Sequence, residues 1–271
     1  ELNRELMSNY GKIDILWYDV AQPMESFEGW NSLELNQMVR SLQPDIIINN
    51  RSLLEEDFQT PEGRIVPAGR DWEACMTFNG ISWGYLDSGR VLPFSHSAQQ
   101  IVRMLYEVTK ESGNLLLNIG PKADGTIPEE AIEPLEAVGK WVKEYHGFLY
   151  GRTDAKQIIY HGTSNLTYCD NKAYVWNFFW PEKDRTIYIA GIQNRLKKAY
   201  FLSDRKEIAF KQDEYRIRLY DLPGEEEDRI LGITVICLEF DGEVTYWGRG
   251  LNRHATRYPQ LNYGMVYQKE R

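Results

Sequence analysis

Short apolar runs alternate with helical patterns over roughly the first 150 residues of the chain. The run Ile13-Asp14-Ile15-Leu16-Trp17-Tyr18-Asp19, set between Gly11 and Pro23, predicts a buried strand. A helix precedes it and ends near Tyr10-Gly11. Asn31-Ser32-Leu33-Glu34 has the form of a capping box. Leu35, Met38, Val39 and Leu42 follow at helical spacing until Pro44 stops them. Residues 45–50 predict a second buried strand leading into Arg51, and residues 52–69 an irregular stretch. Residues 72–77 and 114–120 predict a third and a fourth strand. Between these two, a helix opens at Ser97, carries Ile101, Val102, Leu105 and Val108 on one face, and closes by Gly113. Thr126-Ile127-Pro128-Glu129 caps a further helix with Ile132, Leu135, Val138 and Val142. Repeated strand–helix order implies a parallel sheet.

After residue 150 the texture changes to short alternating segments at 173–179, 186–192, 198–202, 215–219 and 233–240. Turn residues such as Asp170-Asn171, Pro223-Gly224 and Asp241-Gly242 separate them, which predicts an antiparallel β-sandwich. A complete eight-unit barrel takes about 250 residues, and only about four strand units fit before residue 150. The expected fold class is therefore α/β plus all-β. Residues 1–150 give half of a (β/α)8-type barrel, which is either completed by a missing N-terminal half or is a small open sheet. Residues 151–271 form the sandwich domain, with an aromatic, locally basic tail from residue 246. A half barrel exposes two parallel edges, which natural folds avoid. The opening Glu1-Leu2-Asn3-Arg4-Glu5-Leu6 has the look of mid-helix, without an initiator Met or a signal-peptide pattern. The expectation is a piece of a longer protein.

Composition narrows the chemistry. Hydrophobic residues make up 42% of the chain, enough for a sizeable core. Eight Trp, 17 Tyr and 10 Phe suit a carbohydrate binder, because aromatic faces pack on the C–H faces of sugars; most of them are expected in the core. A net charge of −9 argues against nucleic acid and anionic membrane surfaces as partners. No apolar run reaches the length of a membrane span. Cys75, Cys169 and Cys237 are odd in number and widely spaced, which suggests neither a metal site nor a disulfide scaffold. His96, His146, His161 and His254 are scattered and read as surface or capping residues. No phosphate-loop pattern occurs, and neither a metal nor a cofactor is expected.

Asp19 is the residue that packing does not explain. A carboxylate at the carboxyl end of a buried strand adds nothing to a core, and in strand–helix barrels that end carries the chemistry. Retaining glycosidases need two carboxylates roughly 5 Å apart, one to attack the anomeric carbon and one to serve as acid and then base. Asp19 suits the first role; Glu62 and Glu73 are candidates for the second.

These residues lie in motifs that resemble the α-L-fucosidases of glycoside hydrolase family 29. The motifs are Leu16-Trp17-Tyr18-Asp19, Asn49-Asn50-Arg51, Thr60-Pro61-Glu62, Trp72-Glu73-Ala74-Cys75-Met76-Thr77, Ser82-Trp83-Gly84-Tyr85 and Gly113-Asn114-Leu115-Leu116-Leu117-Asn118-Ile119-Gly120-Pro121 with Asp124-Gly125. Their order matches the second half of that family's barrel, which implies that residues 1–150 are the C-terminal half of a (β/α)8-type barrel with its N-terminal half absent, and Leu238-Glu239-Phe240-Asp241-Gly242 resembles the end of its C-terminal sandwich. The resemblance implies a retaining hydrolase that removes terminal α-L-fucose, with Asp19 as nucleophile. It implies Glu62 as acid/base, placed in a mobile loop beyond a strand end, and Glu73 as runner-up or positioning group. Trp17 and Trp83 would line the sugar pocket, Arg51 would contact the ring or the nucleophile, and Trp72 would sit at the rim. The bland counterparts are core tryptophans, a structural Arg ion pair, a loop-capping Asp and a solvated Glu. The implied partners are a fucosylated oligosaccharide or glycoconjugate and water, in an extracellular or periplasmic setting. Linkage preference and oligomeric state stay open. The alternative is a truncated or non-catalytic carbohydrate-binding protein derived from that family.

Overall fold

The computed structural model describes residues 1–19, 22–66, 70–145, 148–149, 156–157, 165–214 and 216–245. The aromatic tail, His146, His161 and His254 lie outside the described residues. In chain order the elements are α1 (Leu2–Asn9), β1 (Ile15–Leu16), α2 (Ser32–Leu42), β2 (Ile47–Ile48), β3 (Glu73–Thr77), α3 (Ser88–Val91), α4 (Ala98–Thr109), β4 (Asn114–Asn118) and α5 (Glu129–Tyr145). Eight strands follow: β5 (Lys156–Gln157), β6 (Asn165–Cys169), β7 (Lys172–Asn177), β8 (Ile187–Ala190), β9 (Leu196–Phe201), β10 (Phe210–Gln212), β11 (Arg216–Leu219) and β12 (Thr234–Phe240). Two compact units result, Glu1–His96 with Gly113–Ala131, and Ser97–Ser112 with Ile132–Arg271.

The first unit is built on parallel strands. β1 pairs with β2, Ile15 opposite Ile47 and Leu16 opposite Ile48, and β3 pairs with β4 from Glu73–Asn114 to Thr77–Asn118. The residues expected to be irregular join these pairs. Parallel bridges link Asn49 to Phe58, Gln59 to Trp72 and Glu62 to Cys75. Phe58-Gln59-Thr60-Pro61-Glu62 has no apolar run to announce a strand, and Pro61 has no N–H. Its carbonyl still accepts from the Cys75 N–H at 2.8 Å.

The run that ends at Asp19 is buried on one side only. Leu16 and Ile48 face Met7 of α1 and Val39 of α2 in one apolar cluster. Successive strand residues point to opposite faces, so Ile15 remains 52% exposed beside the exposed Ile47. The expected capping box at α2 also takes another form. Asn31 sits at φ 51° and its Nδ2 donates to Glu34 Oε2 at 2.6 Å, so no side chain caps the helix backbone. Ser97 and Gln100 do form a reciprocal box at α4.

The second unit holds two antiparallel sheets, in strand orders β5-β6-β7-β12-β9 and β10-β11-β8. One apolar cluster draws on both, with Val175, Phe201, Ile236 and Leu238 from the first and Ile187, Ile189, Ile217 and Leu219 from the second. α4 and most of α5 group with these sheets through aromatic contacts: Tyr106 meets Trp176 edge-on at 5.4 Å, and Trp141 lies 5.8 Å from the same ring. The buried Trp141 indole donates to Ile233 O at 2.9 Å.

Among the described residues no helix is long and apolar enough to cross a membrane, and no group of three or more His, Cys, Asp or Glu is arranged to hold a metal. The three cysteines are buried and none is in a disulfide. His96, expected at the surface or as a cap, is half-buried; its Nε2 is enclosed without a partner, and burial lowers its pKa.

Candidate active site

Parallel strands bring their carboxyl ends to one side of a sheet, and the polar residues that follow each apolar run gather there. Asp19 follows β1, and Arg51 lies in the 3-10 turn Asn50–Ser52 after β2. Glu62 lies on the extended segment bridged to β3, and Trp83 in the loop beyond β3.

Arg51 is the hub. Its Nη1 donates to Asp19 Oδ1 at 2.8 Å, its Nη2 to Glu62 Oε2 at 2.7 Å and its Nε to Thr60 Oγ1 at 2.9 Å. The guanidinium carbon lies 4.5 Å from the centre of the Trp17 ring. Glu62 uses its other oxygen to accept from Trp83 Nε1 at 2.7 Å. The Arg51 side chain is 17% exposed, whereas those of Asp19 and Glu62 are 67% and 44% exposed. A recessed cation thus holds two carboxylates that face outward, in reach of an incoming molecule.

A family model described as Alpha-L-fucosidase matches residues 1–147, more than half of the chain and all of the elements that carry this site. The chain belongs to the alpha-L-fucosidase family. It is 31% identical over 150 residues to plasma alpha-L-fucosidase of Homo sapiens, covering 51% of this chain and 32% of that one. It is 25% identical over 254 residues to tissue alpha-L-fucosidase of Mus musculus, covering 87% of this chain and 53% of that one. Alpha-L-fucosidase isoenzyme 1 from Paenibacillus thiaminolyticus superposes with a TM-score of 0.74 at 29% identity, over 88% of this chain and 60% of that one. A family 29 alpha-L-fucosidase from Bacteroides thetaiotaomicron shares the fold, with a TM-score of 0.72 at 21% identity, over 88% of this chain and 59% of that one. The chain spans about half the length, or less, of the curated relatives it matches.

Within this family member, Asp19, Arg51, Glu62, Trp17 and Trp83 come together. Glu62 is not on a loose loop: the bridge to Cys75 fixes its backbone, and Arg51 and Trp83 hold its carboxylate. Glu73 is half-buried, and burial holds its carboxyl above the ordinary range. The Trp17 indole N–H is enclosed with no partner in hydrogen-bonding geometry, and its pull is the influence that opposes burial at Glu73. Burial, with Glu73 adding to it, pushes the Cys75 thiol up to about 11, which leaves the thiol protonated and inert. Trp72 does not reach a rim. It is 2% exposed and lies against Gly113, where a Cβ would stand 2.2 Å from its ring.

Several polar residues of the site had no role assigned from sequence. Asn118, at the end of β4, donates to Trp83 O at 2.7 Å and anchors the loop that carries the indole. Asn50 Oδ1 accepts from Thr60 N at 3.2 Å, bracing the hydroxyl that receives Arg51 Nε. The available signal was an Asn closing each Ile- or Leu-rich run, at Asn49-Asn50 and at Asn118.

Proposed function

We propose that this chain carries the catalytic pair of a retaining α-L-fucosidase that releases terminal α-L-fucose from fucosylated glycans. Asp19 is the nucleophile and Glu62 the acid/base. The observation that carries this is one guanidinium bonded to both carboxylates, flanked by Trp17 and Trp83. Sharing one guanidinium keeps the two carboxylates close together, which supports double displacement, a mechanism whose carboxyl groups stand about 5–5.5 Å apart.

In the first step an Asp19 carboxylate oxygen bonds to the anomeric carbon as the bond to the leaving oxygen breaks. Glu62 passes its proton to that oxygen, and a fucosyl ester forms on Asp19. In the second step the Glu62 carboxylate takes a proton from water, the water oxygen bonds to the anomeric carbon, and the ester bond breaks to restore Asp19. Arg51 holds the nucleophile in line for both steps. Trp17 and Trp83 pack on the apolar face and methyl group of the sugar. Glu73, whose carboxyl is raised by burial, is the second candidate for the acid. We further infer that the parallel strands belong to the C-terminal half of a strand–helix barrel and that the two antiparallel sheets form a sandwich; their common apolar cluster supports the latter.

The test is hydrolysis of 4-nitrophenyl α-L-fucoside by the full-length protein. Asp19→Ala is expected to abolish turnover and azide to restore it. An Asp19→Ala enzyme with unchanged rates refutes the nucleophile assignment. Loss of the true acid spares the first step on a substrate with a good leaving group, and this separates Glu62 from Glu73. Fucose binding without any release favours a non-catalytic binder.

A further inference from the structure

The regular ladder between β1 and β2 is only two residue pairs long, and its last backbone contact runs from Asn49 N–H to Leu16 O at 3.4 Å. Beyond it the chain must still deliver Asp19. A single side-chain amide takes over there. Asn49 Oδ1 accepts from the Tyr18 N–H at 2.8 Å, and Asn49 Nδ2 donates to Tyr18 O at 2.9 Å. The second bond grips the peptide that joins Tyr18 to Asp19. The Asn49 amide thus imitates one more residue of a partner strand.

We infer that Asn49 is the positioning residue for Asp19, and this rests on Asp19 being the nucleophile proposed above. Three observations support it. Asn49 is fully buried, so no water can replace either bond. Both a donor and an acceptor are needed, at one side-chain length, and Ala, Leu and Asp each fail to supply them. The Asp19 side chain is largely exposed, so side-chain packing does not fix its direction; backbone placement and Arg51 do. Tyr18 is also held at its far end, where its hydroxyl donates to Asn36 Oδ1 at 3.0 Å. That contact steadies the ring but does not touch the peptide leading to Asp19, which makes Asn36 the natural control.

The experiment compares Asn49→Ala, Asn36→Ala and Asp19→Ala in the full-length protein, with 4-nitrophenyl α-L-fucoside and melting temperature as readouts. A displacement of 1 Å at a reacting group costs roughly 10²-fold in rate, so Asn49→Ala is expected to lower kcat by about that factor with KM little changed. Asn36→Ala is expected to lose stability but keep kcat within about threefold. Asn49→Asp keeps the acceptor for Tyr18 N–H and loses the donor to Tyr18 O; it serves in the same way if the Ala variant does not fold. A normal kcat in a folded Asn49 variant overturns the inference, and so does an equal kcat loss in Asn36→Ala at matched stability. If Asp19→Ala is inactive and rescued by azide while Asn49→Ala is unimpaired, only the positioning role falls. If Asp19→Ala is active, the nucleophile assignment falls first and the positioning role with it.

Discussion

Replacing Arg51 by lysine keeps the charge and removes the geometry. The guanidinium reaches Asp19, Glu62 and Thr60 at once while covering Trp17. An ammonium is a compact point charge on a flexible stem; it can favour one carboxylate but cannot span both in one plane and stack on the indole. The cost to folding is small. The carboxylates are 67% and 44% exposed, where ion pairs contribute about 0–1 kcal/mol each. The cation–π contact adds about 0.5–1 kcal/mol. Against part of that loss the lysine keeps one ion pair, so the net is about 1 kcal/mol, or roughly 2–4 °C in Tm. The cost to turnover is larger. One charge-assisted hydrogen bond is worth about 1.5–3 kcal/mol, and the misaligned pair loses at least one, which corresponds to roughly a 10²-fold fall in kcat/KM. Steady-state hydrolysis of 4-nitrophenyl α-L-fucoside, read beside a thermal melt, measures both. A folded Arg51→Lys enzyme with kcat/KM within about threefold of the parent refutes the bridging role.

Further predictions concern packing and protonation. Gly113→Ala drives a Cβ into the buried Trp72 ring and is expected to cost about 1–3 kcal/mol, read as a lower Tm; an unchanged Tm contradicts the packing. Gly120→Ala places a Cβ 2.4 Å from the Gly84 carbonyl carbon, and backbone rather than a flexible side chain must give. The neighbouring Trp83 then shifts from Glu62, and kcat/KM is expected to fall by roughly tenfold or more, whereas normal turnover shows that the Trp83 contact does not matter. Glu227 is pushed up to about 7, first by burial and then by Asp204 and Glu144, with the Ser203 hydroxyl opposing. The folded state therefore holds this proton more tightly than the unfolded chain. Its stabilising contribution is complete below the ordinary carboxyl value of 4.5 and is lost as pH rises through about 7. Direct conversion of the shift gives about 3 kcal/mol, and solvent screening of a partly exposed group reduces this to about 1–2. Glu227→Gln should flatten denaturant stability across that pH window, and an unchanged slope is the contrary result.

How much was legible follows from where each signal sits. The apolar runs ending in Asp19 and Asn118, the helix broken by Pro44 and the Ser97 cap are local, and each appeared close to its expected place. The extended segment around Glu62 was missed because its pairing partners, not its own residues, make it strand-like; Phe58-Gln59-Thr60-Pro61-Glu62 has no period of its own. Trp72 was misplaced for a related reason. Its neighbour in sequence, Glu73, is half-buried and under the influence of the Trp17 indole, but strand alternation sends adjacent side chains to opposite faces, and only the close approach of Gly113 reveals that the Trp72 face is closed.

The sequence by itself determined the order of strand and helix, the antiparallel character of the second region, and the six ordered motifs that marked the family. Those are properties of runs and spacings, set by local sterics and by which faces must leave water. Only the tertiary structure decided that Arg51 joins Asp19, 32 positions away, to Glu62, 11 positions away. It also decided that the Asn49 amide carries the strand pairing on to the Tyr18 peptide that leads into Asp19. Such convergence depends on the register of parallel strands, which many residues fix together and no single motif encodes.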